Sequence, residues 1–485
     1  MTDSLFAWLE GRLLGRFTAT GPEDAAFTYD DQADGAPISL SMPRQGGWAK
    51  KAPYRFLDNL LPDDERTRAR IAYDTDAASS GVFDLLAQIG GDVAGGLVLT
   101  ATDQPPSRSI GPLLPLTDDD IAYRVVTLHT QPDRWIDSDL AAGRFSLAGA
   151  QAKFTMAAID GRWYQPGPAV PSTHIVKPGP ARFPDVEAVE LATMRLARLS
   201  GIPVPETGFL RVLGQRAFIV GRFDRDTAAC PVARIHGEDF AQASGMSRAA
   251  KYGMSATQAI RTLGGHDAND ALGYEFVNRL AFAVATGNCD AHAKNYTVLL
   301  RPAGATFAPA YDQVATLYWP NLDTRLAMKI GGASRSPEVT PNHWAKLART
   351  SGLDEDRVVS AARAISALAV EAAPQAASGL DPTVRDRFLS VIGDANRSMT
   401  RATPAAPARA GEASNSPKAA LDNDISQQIR QARHDARLTQ TDVARSAGLS
   451  RPTVARVEAG QDVSVSSIQK IAAALGLTLR VERRG

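Results

Sequence analysis

Asp290 and Asn295 stand with four residues between them and are followed by an apolar run and a second acid, Asp312. No other part of the chain so restricts how it can fold. The stretch reads Gly287-Asn288-Cys289-Asp290-Ala291-His292-Ala293-Lys294-Asn295, then Pro309-Ala310-Tyr311-Asp312. Phosphoryl transfer needs one carboxylate to orient the attacking hydroxyl, and an amide oxygen with a second carboxylate to hold Mg²⁺ on the ATP phosphates. These groups meet only if a loop is followed by a short β-hairpin. On that reading Asp290 orients the nucleophile while Asn295 and Asp312 bind the metal. Taken alone, the same residues read more simply as turn formers and a surface acid.

Their company decides between the two. Phe145-Ser146-Leu147-Ala148-Gly149-Ala150-Gln151-Ala152-Lys153-Phe154 is a small-residue loop running into a strand, and small side chains let backbone N–H groups approach a triphosphate. Ser146, Gly149, Ala150 and Gln151 are therefore candidate nucleotide contacts. Lys177, at the end of the next strand, is placed to meet the α and β phosphates. Glu190, on the following helix, is placed to pair with it and hold it forward. Glu238-Asp239-Phe240 lies where the chain passes between lobes, and backbone groups at Glu238 and Phe240 are offered to adenine. Loop, strand lysine, helix glutamate, hinge, Asp-x₄-Asn and Asp occur in the chain order of a protein-kinase-like fold.

Composition bounds the rest. A chain of 485 residues predicts two to four domains, and 44% hydrophobic with 22% charged residues is ordinary for a globular protein. Lys plus Arg equals Asp plus Glu at 53 each, although basic residues exceed acidic ones over the last sixty positions. Two cysteines, Cys230 and Cys289, exclude a disulfide scaffold and suit a reducing compartment. The N-terminus lacks the basic region and apolar run of a secretory signal, and no uncharged apolar stretch approaches ~20 residues. The expectation is a cytoplasmic protein with no membrane partner. The fold class expected is α+β: a small N-terminal mixed domain (1–105) and a two-lobed kinase-like core (120–400). Within the core a strand-rich lobe (about 120–240) precedes a helical one (about 241–400). Residues 402–420 are rich in Ala, Pro and Ser with no large apolar residue, which reads as a flexible linker.

Residues 421–485 carry a compact helical pattern of their own. Ile425 to Arg433 is a first amphipathic helix. Thr439 caps a second from Gln440 to Ala447, which Gly448 ends, and Ser450 caps a third with Pro452 near its start. Ile468 to Leu475 is a fourth. This is a helix-turn-helix, with the third helix laid in the DNA major groove. It resembles the bacterial repressor family that includes the lambda and 434 repressors and the HipB antitoxin. That resemblance makes Gln440, Arg451, Thr453 and Arg456 candidates for base or phosphate contact with operator DNA, and a homodimer through this module the expected form.

Residues 5 to 400 resemble the HipA family of serine/threonine kinases, the toxins of HipBA toxin–antitoxin systems. The matching strings are Phe56-Leu-Asp-Asn-Leu-Leu-Pro62, Ser146-Leu-Ala-Gly-Ala-Gln151, Thr173-His-Ile-Val-Lys-Pro178, Gly221-Arg-Phe-Asp-Arg225, the Gly287 to Asn295 run and Tyr311-Asp312. The resemblance implies Mg-ATP-dependent phosphorylation of a protein serine, on an aminoacyl-tRNA synthetase in the best-known members, which halts translation and induces dormancy. It further implies autophosphorylation of Ser146 that expels the loop and inactivates the kinase, and nucleotide contacts at His292 and Tyr311. One departure stands out: the family usually keeps its DNA-binding antitoxin on a separate chain, whereas a HipB-like module is fused here. One polypeptide that phosphorylates and represses its own promoter is then the expectation, with a separate antitoxin left open. The competing reading is a nucleotide-sensing transcriptional repressor with little kinase activity.

Overall fold

A computed structural model of the chain describes residues 2–400, apart from 34, 108–112, 137–144, 150, 168, 181, 265, 267–268 and 303, and residues 428–477, apart from 434, 437 and 459–464. The expected linker, Ala150 and the start of the first C-terminal helix lie outside the described residues. The chain divides into two compact units, residues 1–402 and 403–485.

The first unit opens with an antiparallel sheet of Ser4–Leu9, Arg12–Gly21, Asp24–Tyr29 and Leu97–Thr100. Alternation along these strands sends Leu5, Ala7, Phe17 and Phe27 to one buried face, as a half-solvated sheet requires. Helices Ala52–Asp58 and Val82–Ile89 cover that face with Phe56, Leu57, Leu85 and Leu86. The same core runs on without a break into Phe154, Met156 and Val176 of the next sheet.

That second sheet has five antiparallel strands in the order Arg162–Tyr164, Phe154–Ile159, His174–Lys177, Gln215–Gly221, Thr207–Val212. Helix Val186–Leu199 lies against it, where Leu191 and Met194 meet Phe218 and Val220. The region expected to be strand-rich also holds a helix, Asp118–Thr130. Thr117 caps it, with the Asp120 side chain reaching back to the Thr117 N–H, and Ile121, Val125 and Leu128 fall on one buried stripe. A short hairpin, Thr297–Arg301 with Gly304–Phe307, pairs with Gly237–Asp239 to form a third sheet. Around it stand helices Ala271–Thr286, Pro341–Ser351, Glu355–Ala376 and Pro382–Thr400, whose core includes Phe276, Phe282, Trp344 and Phe388.

The second unit is all helical among its described residues. Gln440–Ala447, Arg451–Glu458 and Val465–Ala474 close over Ile429, Val443, Val454, Val457 and Ile471. Thr439 caps the first of these in a reciprocal bond with Asp442, and Gly448, at φ 62°, ends it in the left-handed region. Glu458 is buried and receives Arg433 Nε at 2.5 Å and Gln440 Nε2 at 3.0 Å, which ties three helices together.

Candidate active site

Gly287 sets the direction of the loop that carries Asp290. It ends helix Ala271–Thr286 at φ 64°, and a Cβ there would stand 2.8 Å from Leu317 Cδ1. The next turns are made by side chains. Asn288 Oδ1 accepts the Asp290 N–H at 3.1 Å, and Asn295 Oδ1 accepts the His292 N–H at 3.2 Å, so the loop closes on itself before entering the hairpin. The chain returns through Gly304–Phe307 to Tyr311 and Asp312. Asp312 sits at φ 55°, a conformation that a short polar side chain tolerates.

There the separated parts join. Asp312 Oδ2 accepts from Asn295 Nδ2 at 2.9 Å, and Asp312 Oδ1 receives Lys177 Nζ at 2.6 Å. Lys177 in turn reaches Glu190 Oε1 at 2.7 Å. Glu190, Lys177, Asp312 and Asn295 thus form one continuous chain of polar contacts. They line a cavity of about 920 Å³ together with Asp290, His292, Tyr311, Gly149, Gln151 and Lys153.

The electrostatics follow from burial among charges. Burial opposes the Lys177 ammonium, but Asp312 and Glu190 outweigh it and raise its pKa. Burial likewise opposes ionisation of Asp312, and Lys177 and Lys153 hold the carboxyl well below its ordinary range. Lys153 takes the opposite course: burial, then repulsion from Lys177, brings it down to about 7. Its ammonium donates to the Ala148 carbonyl at 2.8 Å and lies 4.4 Å from the Trp135 ring centre. The cavity wall therefore presents the Lys177 cation with an ionised acid beside it.

Two expectations are corrected here. Phe240 does not face the cavity: its ring is fully buried against Phe276, Tyr296 and Phe307, and its N–H is taken by the Tyr296 carbonyl at 3.0 Å. The aromatic belongs to the core, and Gly237, Glu238 and Asp239 line the cleft instead. Ser146 is fully buried too. Its hydroxyl donates to the Leu60 carbonyl at 2.8 Å and its N–H to the Asp92 carbonyl at 3.0 Å, so in this position of the loop it does not meet a nucleotide. Glu238 keeps only its backbone for the cleft, because Ser39 and Leu40 occupy its carboxylate at 2.5 and 2.6 Å. Burial pushes that carboxyl up to about 8.

Several contacts that position the site are not announced by any local pattern. Lys294 Nζ donates to the carbonyl and side-chain oxygens of Asn59, at 2.8 and 2.9 Å, across 235 positions. Asp63 binds Lys251 at 2.8 Å. Tyr311 donates to the Lys294 carbonyl at 2.7 Å and stacks on Phe223 at 5.0 Å between ring centres. Asp92 and Asp224 are buried with Arg222 and Arg225 in an ion cluster, with Asp92–Arg225 at 2.8 Å and Asp224–Arg222 at 2.7 Å, and Arg222 and Asp224 also line the cleft. Those arginines lie in the Gly221 to Arg225 string, so the string has a structural use.

Magnesium fits the donor set. Mg²⁺ takes hard oxygen ligands and is usually bound by one or two protein groups plus substrate phosphates. Asn295 and Asp312 supply an amide and a carboxylate on the cavity wall. Among the described residues no group of three or more His, Cys, Asp or Glu could hold a metal ion by itself. In the second unit Arg451 is exposed and Thr453 half-buried at the start of their helix, while the amide of Gln440 is engaged by Glu458. The side chain of Arg456 lies outside the described residues.

A lysine held by a helix glutamate, an Asp-x₄-Asn loop and a following acid around one cleft define a kinase-like protein, here carrying a helix-turn-helix unit. Residues 145–373 match the model of the HipA-like C-terminal domain, residues 5–100 that of the HipA N-terminal domain, and residues 429–481 a helix-turn-helix. The chain is 33% identical over 371 residues to the putative kinase Y4mE of Sinorhizobium fredii, covering 72% of this chain and 86% of that one. It is 28% identical over 344 residues to the serine/threonine-protein kinase toxin HipA of Shewanella oneidensis, covering 65% and 75%. The structure of a complex of HipA, HipB and operator DNA from Shewanella oneidensis contains a chain that matches this fold. Its TM-score is 0.68 at 23% identity, over 80% of this chain and 96% of that one. The chain belongs to the HipA family, with a helix-turn-helix domain fused at its C-terminal end.

Proposed function

We propose that this protein is an Mg-ATP-dependent serine/threonine protein kinase of the toxin class whose C-terminal module binds operator DNA. The observation that carries this reading is the contact chain from Glu190 through Lys177 and Asp312 to Asn295, on the cavity wall that Asp290 shares. Glu190 and Asp312 keep Lys177 charged and fixed, ready for phosphate oxygens. Asp290 accepts the proton of the attacking hydroxyl as its oxygen bonds to the γ-phosphorus and ADP departs. Mg²⁺, held by Asn295 and Asp312 when bound, supplies neutralisation of charge on the phosphates. Gly149 and Gln151 on the loop, His292 and Tyr311 on the opposite wall, and the Gly237 to Asp239 backbone are assigned to the nucleotide.

Family likeness supports a toxin that acts on a protein serine, with an aminoacyl-tRNA synthetase as the proposed acceptor and translation as the process halted. Ser146 is the proposed site of self-inactivation, and its burial supports this. A phosphate adds about −1.5 to −2 charges, which a fully enclosed position against the Leu60 carbonyl does not accommodate, so the modified loop stays out. Operator DNA is the proposed partner of the C-terminal helices, with the protein acting in the cytoplasm. No helix among the described residues is long and apolar enough to cross a membrane.

The test is labelling of lysate proteins with γ-labelled ATP. Wild type should label protein bands, and Asp290→Gln should lower labelling by about 10²–10⁴ while still binding ATP. Equal and negligible labelling by both would leave the nucleotide-sensing repressor as the better reading.

A further inference from the structure

Tyr252 holds the carboxylate on which the proposed chemistry depends. Its hydroxyl donates to Asp290 Oδ1 at 2.6 Å, the one side-chain donor to Asp290 among the described residues. A general base must sit about 2.6–3.2 Å from the oxygen whose proton it takes. The phenolic oxygen therefore stands at one of the two positions, the one on Oδ1, from which an attacking hydroxyl can hand over its proton.

The fold builds this placement. The ring meets His292 edge-on at 4.9 Å, and Lys251 Nζ lies 5.2 Å from the ring centre. Lys251 is bound to Asp63 at 2.8 Å, and its carbonyl accepts the Ala293 N–H at 3.2 Å. Arg248, one turn earlier, donates to the Asp63 carbonyl at 2.5 Å and pairs with Glu65. The segment before Tyr252 is thus pinned both to residues 63–65 and to the loop of Asp290. The side chain itself is 53% exposed, so a displaced phenol has room to go. Burial, then the Asp290 carboxylate, raise its pKa, so it remains a donor.

We propose that the Tyr252 hydroxyl occupies the acceptor position on Asp290 Oδ1 until a serine or threonine of a docked protein displaces it, and so keeps water off that oxygen. The inference rests on the kinase reading above. Without an acceptor, water can attack through the same oxygen of Asp290. The water proton passes to the carboxylate, its oxygen bonds to the γ-phosphorus, and the bond to the ADP oxygen breaks to give ADP and inorganic phosphate. Tyr252 suppresses that route as a positioning residue.

The test measures phosphate release from Mg-ATP with no protein acceptor, using the full chain. Tyr252→Phe keeps the ring on His292 and removes only the donor. It should raise release about fivefold, the factor for one ordinary hydrogen bond, with the KM for ATP unchanged. Lys251→Met leaves the phenol but loosens its seat, and should raise release by less. Adding Asp290→Asn to Tyr252→Phe should abolish the gain. Release that stays at the wild-type level or falls in both single variants, with ATP binding intact, overturns the proposal. A wild type that neither labels protein nor turns over ATP overturns the kinase reading and this inference with it.

Discussion

Lys153 shows how one residue ties the cleft to pH. Its folded pKa of about 7 lies well below the ordinary lysine value, because burial and Lys177 disfavour the charge. Below about 7 the ammonium is present and ready for phosphate, whereas above it nucleotide binding has to take up a proton. ATP affinity should therefore fall as pH rises above about 7, by at most tenfold per unit. Titration calorimetry should show the effect vanish in Lys153→Met, along with part of the affinity. Lys177 is bound on two sides, so Lys177→Met leaves Glu190 buried without its cation. Removing one partner of a buried pair costs about 3 kcal/mol or more, which should appear as a lowered melting temperature as well as lost activity. Ser146→Ala, which keeps the loop in place, should retain activity and stop labelling itself, as phosphate mapping would show. That Asp290, Asn295, Asp312, Lys177 and Glu190 come together in one cleft could be expected from the sequence, because phosphoryl transfer would fix both residue type and chain order. The parts played by Asn59, Asp63, Lys153 and Tyr252 could not, since they come from contacts across the fold that no local pattern announces.

At the scale of elements, the elements at Val186–Leu199, Phe154–Ile159 and Gln440–Ala447 could be read from periodicity and caps alone. The helix Asp118–Thr130 could have been read as well, from Thr117 and Asp120 three residues apart, but its apolar stripe has only three large members. Phe240 misled because a residue at a hinge looks free to offer its backbone, whereas the Tyr296 carbonyl takes its N–H and three other rings claim its side chain. Gly287 is the sharpest test at this level. Gly287→Ala puts a Cβ into Leu317 and keeps a left-handed backbone, and should cost about 1–3 kcal/mol by thermal melting. Because the loop of Asp290 leaves from that glycine, kcat should fall further than ATP affinity.

At the scale of the molecule, the two units have separate cores, one built on Ile429, Val443 and Ile471, the others within residues 1–402. Residues 1–402 alone should keep ATP binding. Residues 403–485 alone should retard the chain's own promoter DNA in a salt-dependent way, with a log–log slope near −5 if about six phosphates are neutralised. The Asn59 and Asp63 contacts bear on the larger unit. Lys294 grips Asn59, and Lys251 grips Asp63, from the far half of the sequence. The opening hundred residues are therefore a brace for the machinery rather than an appendage to it. A ligand or antibody wedged under that brace should silence the enzyme from outside, with the nucleotide still seated.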